Sequence, residues 1–424
     1  MKITILTLGS RGDVQPPVVL GKALAERGHT VTVVSHLPFR PLVEQCGLRF
    51  APLHIDIEQI LRSATGQSLI NAERNPLRLM SGWFRSIEPM IRSLFDDYWA
   101  ACRDGADLII SGDLADLAGP SVAERLGVPE VGVTVFPWRM ATGAFPHAML
   151  PQRSLGPGLN RLSHRGFEGL LWTMLRPTIN QMRRDVLGLA PATARLYEGR
   201  PMLFCCSPAV VERAADWGPQ TAVTGYWFLE PQARWRPAAG LTDFLAAGAP
   251  PVCVTFGSIT YQPERVTRDV VRALDGLGLR ALLVRGWGGL SSADLPPTMH
   301  LVDEVPFGWL FPQVAAVVHH GGAGTTALAL RAGVPQVITP IIGDEAFWAS
   351  RMVRLGVSPA PLPIRRLSAE ALAQRVQEAV SAPSYRQRAA ALADTIRQED
   401  GLGQAIGFLE RRVGLRTEER SVGV

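Results

Sequence analysis

Short apolar runs broken by glycine set the rhythm of this chain, and stretches with helical spacing lie between them. Lys2 to Leu8 is apolar and partly β-branched, the make-up of a strand buried on both faces of a parallel sheet. It breaks at Gly9-Ser10-Arg11-Gly12-Asp13. Pro16 to Arg27 then reads as a helix with proline near its first turn and Gly28 at its end. Val31 to Ser35 is the next strand, which completes a β-α-β unit. Leu42 to Cys46 is a short helix, and Gly47 to Phe50 leads into an edge segment. Further strands are expected at Leu108–Ser111, Val131–Val135, Met202–Cys206 and Thr221–Thr224, with a helix at Leu114–Leu126. Two long stretches, Ile57–Ala101 and Pro151–Val186, are amphipathic, helical in pattern and rich in Trp, Phe and Met.

Pro231 to Pro251 is rich in proline, alanine and glycine and interrupts the pattern, so it reads as a linker. The alternation then restarts. Strands are expected at Val252–Phe256, Arg280–Val284, Met299–Val302, Ala315–Val318 and Gln336–Thr339. Helices are expected at Glu264–Leu274, Ala327–Ala332, Glu345–Leu355 and Ala369–Val380. Tyr385 to Val413 is helical and charged, and the tail after Leu415 is polar. Strand and helix alternate in both halves, which predicts an α/β protein with two parallel-sheet domains. The expected boundaries are 1–230, a linker at 231–251, 252–384, and a terminal segment at 385–424.

A length of 424 residues supports two or three domains, and an apolar share of 47% supplies their cores. A net charge of +5 without a long basic block is a surface bias and not a nucleic-acid footprint. The cysteines Cys46, Cys102, Cys205, Cys206 and Cys253 lack metal-ligand or disulfide-framework spacing. A reducing cytoplasm fits them. Met1-Lys2 leads straight into a strand, so no secretory leader is expected, and no apolar run is long enough for a transmembrane helix. The first loop lacks G-x-G-x-x-G, and no acidic residue follows the second strand. A dinucleotide site is therefore poorly supported.

The chemistry gathers at His319-His320-Gly321-Gly322-Ala323-Gly324-Thr325-Thr326. A glycine-rich turn between a strand and a helix presents free backbone N–H groups where a phosphate is readily held. Thr325 and Thr326 add hydroxyls and His320 an imidazole donor. The same glycines also suit a plain tight connection. Together with Gly343-Asp344-Glu345-Ala346-Phe347-Trp348, this stretch resembles the donor-binding signature of family 1 glycosyltransferases. The resemblance is greatest to the sterol and antibiotic (macrolide, glycopeptide) enzymes, and it extends to the N-terminus through Gly9-Ser10-Arg11-Gly12-Asp13-Val14-Gln15-Pro16.

The resemblance implies the GT-B fold, with two Rossmann-like domains facing across a cleft and the last helix returning to the first domain. It implies an inverting hexosyltransferase. A sugar would pass from a UDP- or dTDP-sugar to a hydroxyl of a lipophilic acceptor such as a sterol, a lipid or a polyketide. No cofactor is expected. With no DxD-type carboxylate pair and no His/Asp cluster of ligand spacing, the transfer is expected to be metal-independent. His320 matches the pyrophosphate-contacting histidine, and His319 reads as structural. Gly321, Gly322, Gly324, Thr325, Thr326 and Ser258 face the diphosphate, although Ser258 equally suits a helix N-cap. Val305 marks the base-recognition segment. Asp344 and Glu345 match an Asp-Gln pair that binds sugar hydroxyls. Glu345 departs from it, since ionised Glu only accepts, which puts glucose in doubt.

On the acceptor side, Asp13 stands where other members carry a catalytic histidine, and Ser10 would orient it. Asp13 equally suits a helix N-terminus as a charge. As an ordinary carboxylate it would be an ionised, weak base. Arg11 would contact phosphate. Phe136 and Trp138 follow a strand's carboxyl end, where ligands bind in open α/β sheets, and are the expected acceptor contacts. Peripheral membrane contact fits a lipophilic acceptor, and a monomer or homodimer is expected. The rivals are a nucleotide-sugar 2-epimerase of the same fold and a non-catalytic nucleotide-sugar-binding partner protein.

Overall fold

The structure, a computed structural model, describes residues 1–55, 76–230, 235–257, 261–286, 290 and 295–415, with residues 76–87 described by backbone alone. The chain forms two compact units. Unit 1 comprises Met1–His147, Arg153–Leu229 and Asp400–Val424, and unit 2 comprises Ala148–Gln152 and Glu230–Glu399.

Unit 1 is built on seven strands: β1 (Lys2–Leu6), β2 (Thr30–His36), β3 (Arg49–Leu53), β4 (Leu108–Ser111), β5 (Glu130–Thr134), β6 (Met202–Phe204) and β7 (Thr221–Val223). Their order is β3-β2-β1-β4-β5-β6-β7 and every pairing is parallel. β1 lies between β2 and β4, with Ile3 opposite both Val31 and Leu108. Its residues Ile3, Ile5 and Leu6 are fully buried, as expected of a continuous apolar run in a central parallel strand.

The two long amphipathic stretches form helices Pro76–Cys102 and Pro157–Asp185. Ile91, Leu94, Phe95, Tyr98 and Cys102 on the first, and Leu171, Leu175, Ile179 and Met182 on the second, follow helical spacing and enter one core with Leu6, Ile109 and Trp138. Many of the aromatic and sulfur-bearing side chains of these stretches are therefore packing residues of unit 1. Residues 57–75 of the first stretch lie outside the described residues.

Unit 2 carries β8 (Val252–Thr255), β9 (Ala281–Val284), β10 (Met299–Val302), β11 (Ala316–His319) and β12 (Gln336–Ile338), all parallel in the order β10-β9-β8-β11-β12. Alternation along β8 sends Val252 and Val254 into one core and Cys253 into the other, so both faces of the sheet are covered.

The boundaries differ from those expected in three places. Ala148–Gln152, expected within the first domain, belongs to unit 2. The proposed linker contains the helix Ala239–Ala246, whose Leu241 is buried in the second core of unit 2. Phe244 and Leu245 pack against the same core, anchors that the surrounding alanines and glycines hid. The terminal segment joins unit 1 only from Asp400 onward, whereas the sequence placed the change at 385. The helix Pro383–Gln398 belongs to unit 2, where Gly333 approaches Ala389, Ala390 and Ala393 closely. The helix Gly401–Val413 is tied into unit 1: Trp227 Nε1 donates to Gly401 O at 3.0 Å, and Arg412 donates to Pro219 O at 2.7 Å. Among the described residues no helix is long and apolar enough to cross a membrane.

Candidate functional site

In unit 2 the chain leaves β8 for β9 on one side and leaves β11 for β12 on the other, so β8 and β11 diverge at their carboxyl ends. Open α/β sheets bind ligands at such a switch point. Gly257 follows β8 there, and His320-Gly321-Gly322 follows β11 and opens the helix Ala323–Ala332. The first N–H groups of a helix have no intrahelical carbonyl, and no side chain caps this one. Gly321 has φ +100° and its Cβ position lies 2.7 Å from Ile338 Cγ2, so only glycine fits this turn. The imidazole of His320 is wedged between Gly257 and Gly322. A Cβ on Gly257 would lie 2.6 Å from His320 Cε1, and one on Gly322 would run into His320 Nε2.

Burial lowers His320 to about 4, so at neutral pH it is an uncharged ring. His320 Nδ1 and Thr326 Oγ1 are both buried and have no hydrogen-bond partner among the described residues. Gly324 and Thr325, in the first turn beside them, are half-buried. His319 is structural, as expected. Its Nε2 faces Gln336 Oε1 at 2.8 Å and its Nδ1 accepts from the Gly321 N–H at 3.1 Å.

The other expected donor residues divide. Val305 packs its side chain into the core beside Leu310 and Phe311, which leaves only its backbone for recognition. Asp344 is half-buried and accepts from Trp348 Nε1 at 2.7 Å. Glu345 is buried at the start of its helix. It is 3% exposed, and its Oε2 accepts from the N–H groups of Ile341 and of Ile342, the latter at 3.0 Å. Burial outweighs these two bonds and holds its carboxyl well above the usual range. Ser258 lies outside the described residues.

In unit 1 the switch point falls between β1 and β4. The turn after β1 is helical earlier than the sequence suggested. The helix is Arg11–Ala25, with Ser10 at its N-cap and Pro16 and Pro17 inside it. Asp13 therefore sits in the first turn. Its Oδ2 accepts from Ser10 N–H at 2.7 Å and Ser10 Oγ–H at 2.9 Å. Burial raises its carboxyl despite these bonds, which makes it a better base than an ordinary aspartate. Gly9 at φ +125° leaves room for it, since a Cβ there would lie 2.8 Å from Asp13 Cγ. Arg11 is exposed and donates to Gln15 Oε1 at 3.0 Å.

Two polar residues at strand ends were missed in the sequence. His36, at the end of β2, meets Ile55 O through Nδ1 at 2.7 Å and accepts the Gly9 N–H at Nε2, 3.3 Å away. Asp113 follows β4 at the switch point, accepts the Val135 N–H at 3.0 Å and also accepts from Thr134 Oγ1. Its place just beyond a central strand was the available signal.

Beyond β5, Phe136 is half-buried, and Trp138 is 9% exposed and packs edge-on to Phe136, His147 and Phe167. Trp138 is thus largely a core residue, although its buried Nε1 has no partner among the described residues. Arg139, at φ +51°, is held in that uncommon backbone conformation by Asp116 at 2.6 Å and by the Tyr197 ring, 3.6 Å below its guanidinium. Arg200 joins Asp116 to Glu130, so the loop after β5 rests on a buried ionic network. His147, His164 and Glu168 lie close by, with one ligand-type atom of each within 4.8 Å of the others. Burial, then the neighbouring His164 and the Arg139 charge, lowers His147 to about 3.

Comparison with known proteins follows the same division. Residues 3–145 match the glycosyltransferase family 28 N-terminal domain, and residues 288–400 match the erythromycin biosynthesis protein CIII-like C-terminal domain. The chain is 36% identical to O-mycaminosyltylonolide 6-deoxyallosyltransferase of Streptomyces fradiae, over 100% of both chains. It is 35% identical to sterol 3-beta-glucosyltransferase of Cryptococcus neoformans over 97% of its own length, but it spans only 27% of that protein. Among solved structures, the glycotransferase of kitacinnamycin superposes with a TM-score of 0.69 at 20% identity, covering 97% of this chain and 98% of that one. The glycosyltransferase VinC in complex with dTDP superposes with a TM-score of 0.64 at 23% identity, covering 97% and 99%.

Proposed function

The chain belongs to the GT-B glycosyltransferase family that includes the sterol glucosyltransferases and the macrolide glycosyltransferases, and from that premise we propose that it is itself an inverting, metal-independent glycosyltransferase. The donor is a UDP- or dTDP-sugar held by unit 2, and the acceptor is a hydroxyl of a lipophilic molecule served by unit 1. The observation that carries this reading is the pair of buried, unpartnered atoms His320 Nδ1 and Thr326 Oγ1 at an uncapped helix N-terminus. Groups left without protein partners in a buried place call for a ligand that supplies them. A diphosphate suits uncapped helix amides and a neutral imidazole donor.

In the reaction the acceptor oxygen attacks the anomeric carbon, and the nucleoside diphosphate leaves from the opposite face. Asp13 takes the hydroxyl proton. Its raised affinity for a proton helps that step, and Ser10 fixes the carboxyl through two bonds to Oδ2. The first-turn amides of Ala323–Ala332, with His320, Thr325 and Thr326, meet the charge that grows on the departing diphosphate. These donors are fixed before the reaction and need no reorganisation. Asp344 and Glu345 border the sugar. Phe136 and the edge of Trp138 face the acceptor. The enzyme acts in the cytoplasm as a monomer or homodimer, in peripheral contact with membranes when its acceptor is held there.

The test is a mass-spectrometric screen of UDP- and dTDP-sugars against sterol and polyketide acceptors, paired with calorimetric titration of UDP and dTDP. Glycosylated product together with nucleotide binding supports the reading. Donor turnover without any acceptor would favour the 2-epimerase, and nucleotide-sugar binding without turnover would favour a non-catalytic partner.

A further inference from the structure

The helix Pro157–Asp185 buries one face in the core of unit 1 through His164, Leu171, Leu175, Ile179 and Met182. Its opposite face has an unusual composition. Leu155 just ahead of the helix, with Leu159, Leu162 and Leu170 on it, is 65%, 53%, 60% and 53% exposed in turn. Single exposed leucines are ordinary, but Leu159, Leu162 and Leu170 recur at steps that share one helical face. Gly158, Gly166 and Gly169 lie on the same face, and a Cβ added at any of them meets nothing within 4 Å. The surface is therefore open and level as well as apolar.

Basic residues outnumber acidic ones around the stripe, where Glu88 beside the hollow and Asp185 at the end of the helix are exposed carboxylates. Between residues 148 and 184 the only acidic residue is Glu168, which is half-buried and whose carboxyl is raised by burial. Arg153, Arg161, Arg165, Arg176 and Arg184 are all exposed. Arg161 pairs with Asp216 at 2.5 Å, whereas the other four make no ion pair among the described residues. Further along the same face, Arg176 and Arg184 flank an open hollow of about 610 Å³ with Thr178, Asn180, Gln181 and Glu88.

We propose that this face docks the protein on the surface of an anionic phospholipid bilayer. The leucines enter the boundary between headgroups and acyl chains, the arginines meet lipid phosphates, and the Arg176–Arg184 hollow takes a headgroup. A second copy of the chain would set arginines against arginines, so charge favours the bilayer over a symmetric homodimer. The inference deepens the transferase reading by naming where membrane contact is made, and rests on that reading for its purpose alone.

The test is co-sedimentation of the full chain, without nucleotide or acceptor, with vesicles of phosphatidylcholine alone and of phosphatidylcholine with phosphatidylglycerol. Binding is expected to the anionic vesicles, to weaken tenfold or more on neutral ones, and to fall with salt. The Leu159→Glu/Leu162→Glu double variant, altered only at exposed positions, should lose binding at least tenfold while keeping its melting temperature. Gly166→Glu provides an independent substitution at an open position with the same expectation. No binding by the wild type, or equal binding by both variants, overturns the proposal. So does a wild-type dimer in light scattering that the double variant converts to a monomer. Because no substrate is present, failure here leaves the transferase reading untouched, and absent transfer leaves the docking result readable.

Discussion

Replacing Asp13 by Asn removes a base while leaving its packing in place. Oδ2 accepts two hydrogen bonds, from Ser10 N–H and Ser10 Oγ–H, and the amide oxygen of Asn can accept the same two. The turn at Gly9 and the start of the helix Arg11–Ala25 should therefore persist, and nucleotide binding by unit 2 should be unaffected. A positioned base contributes about 10²–10⁴ in rate, or about 2.7–5.4 kcal/mol at ~1.36 kcal/mol per tenfold. The variant should lose that much in kcat, with little change in the KM for donor. The pH dependence supplies a second readout. Burial raises Asp13, so in the wild type transfer should fall as pH drops through a value above the ordinary aspartate range, near 3.9. Stability runs the other way. A carboxyl that holds its proton more tightly when folded contributes stability fully below its unfolded value, and loses it as pH rises through its folded value. Asn has no such loss. Its melting temperature should match or exceed that of the wild type at pH 8, with the gap closing toward pH 4. The assays are steady-state kinetics, nucleotide titration and thermal melts across that range. Turnover like that of the wild type would remove Asp13 from the mechanism. A lower melting temperature at pH 8 with intact kcat would make it a helix cap and nothing more.

Gly322→Ala should displace the His320 ring, because the added Cβ runs into Nε2 while φ −61° remains ordinary for alanine. Nucleotide affinity should fall about tenfold, or ~1.4 kcal/mol, read by calorimetry; unchanged affinity would take His320 out of the donor site. Transfer should keep its full rate in excess EDTA, since helix amides and neutral donors handle the diphosphate. Loss of rate on chelation, restored by Mg²⁺ or Mn²⁺, would contradict this.

What the sequence revealed and what it hid have separable physical causes. The strands were legible because continuous apolar runs between glycines have few other uses. The turn after β11 was legible because its glycines, threonines and histidines lie adjacent in the chain. Asp113 and His36 were not, because each bonds a segment remote in sequence: Asp113 meets Thr134 and Val135 once β4 pairs with β5, and His36 meets Gly9 once β2 pairs with β1. The early start of the helix Arg11–Ala25 was masked by Pro16 and Pro17, which ordinarily mark a first turn. Burial is the quantity that sequence conveys least. Trp138 was expected at a ligand surface and lies mostly in a core, and the Pro383–Gln398 helix was expected in a terminal segment returning to the first domain and belongs to unit 2.

Glu345 shows how burial can reverse a chemical inference drawn from residue type. As an ionised carboxylate it would differ sharply from the Gln of related chains, accepting hydrogen bonds only and opposing a diphosphate. In the structure it is buried, and burial holds its carboxyl well above the usual range. Toward neutral pH the proton is therefore retained more readily than in water. A protonated Glu offers one acceptor oxygen and one O–H donor, much as Gln offers an oxygen and an amide donor. The two N–H groups of Ile341 and Ile342 occupy Oε2, so the proton belongs on the other oxygen. Glu345→Gln should then leave the ranking of glucose, deoxysugar and amino-sugar donors in kcat/KM unchanged. The sign of the stability effect follows from the raised value. The wild type gains from this group below the unfolded pKa, about 4.3, and loses that gain as pH rises through the folded value. The variant's melting temperature should accordingly equal that of the wild type near pH 5 and exceed it by pH 9. A tenfold shift of the donor ranking toward UDP-glucose, or a variant that melts lower at pH 9, would show that Glu345 carries its charge in the folded protein and selects the sugar with it.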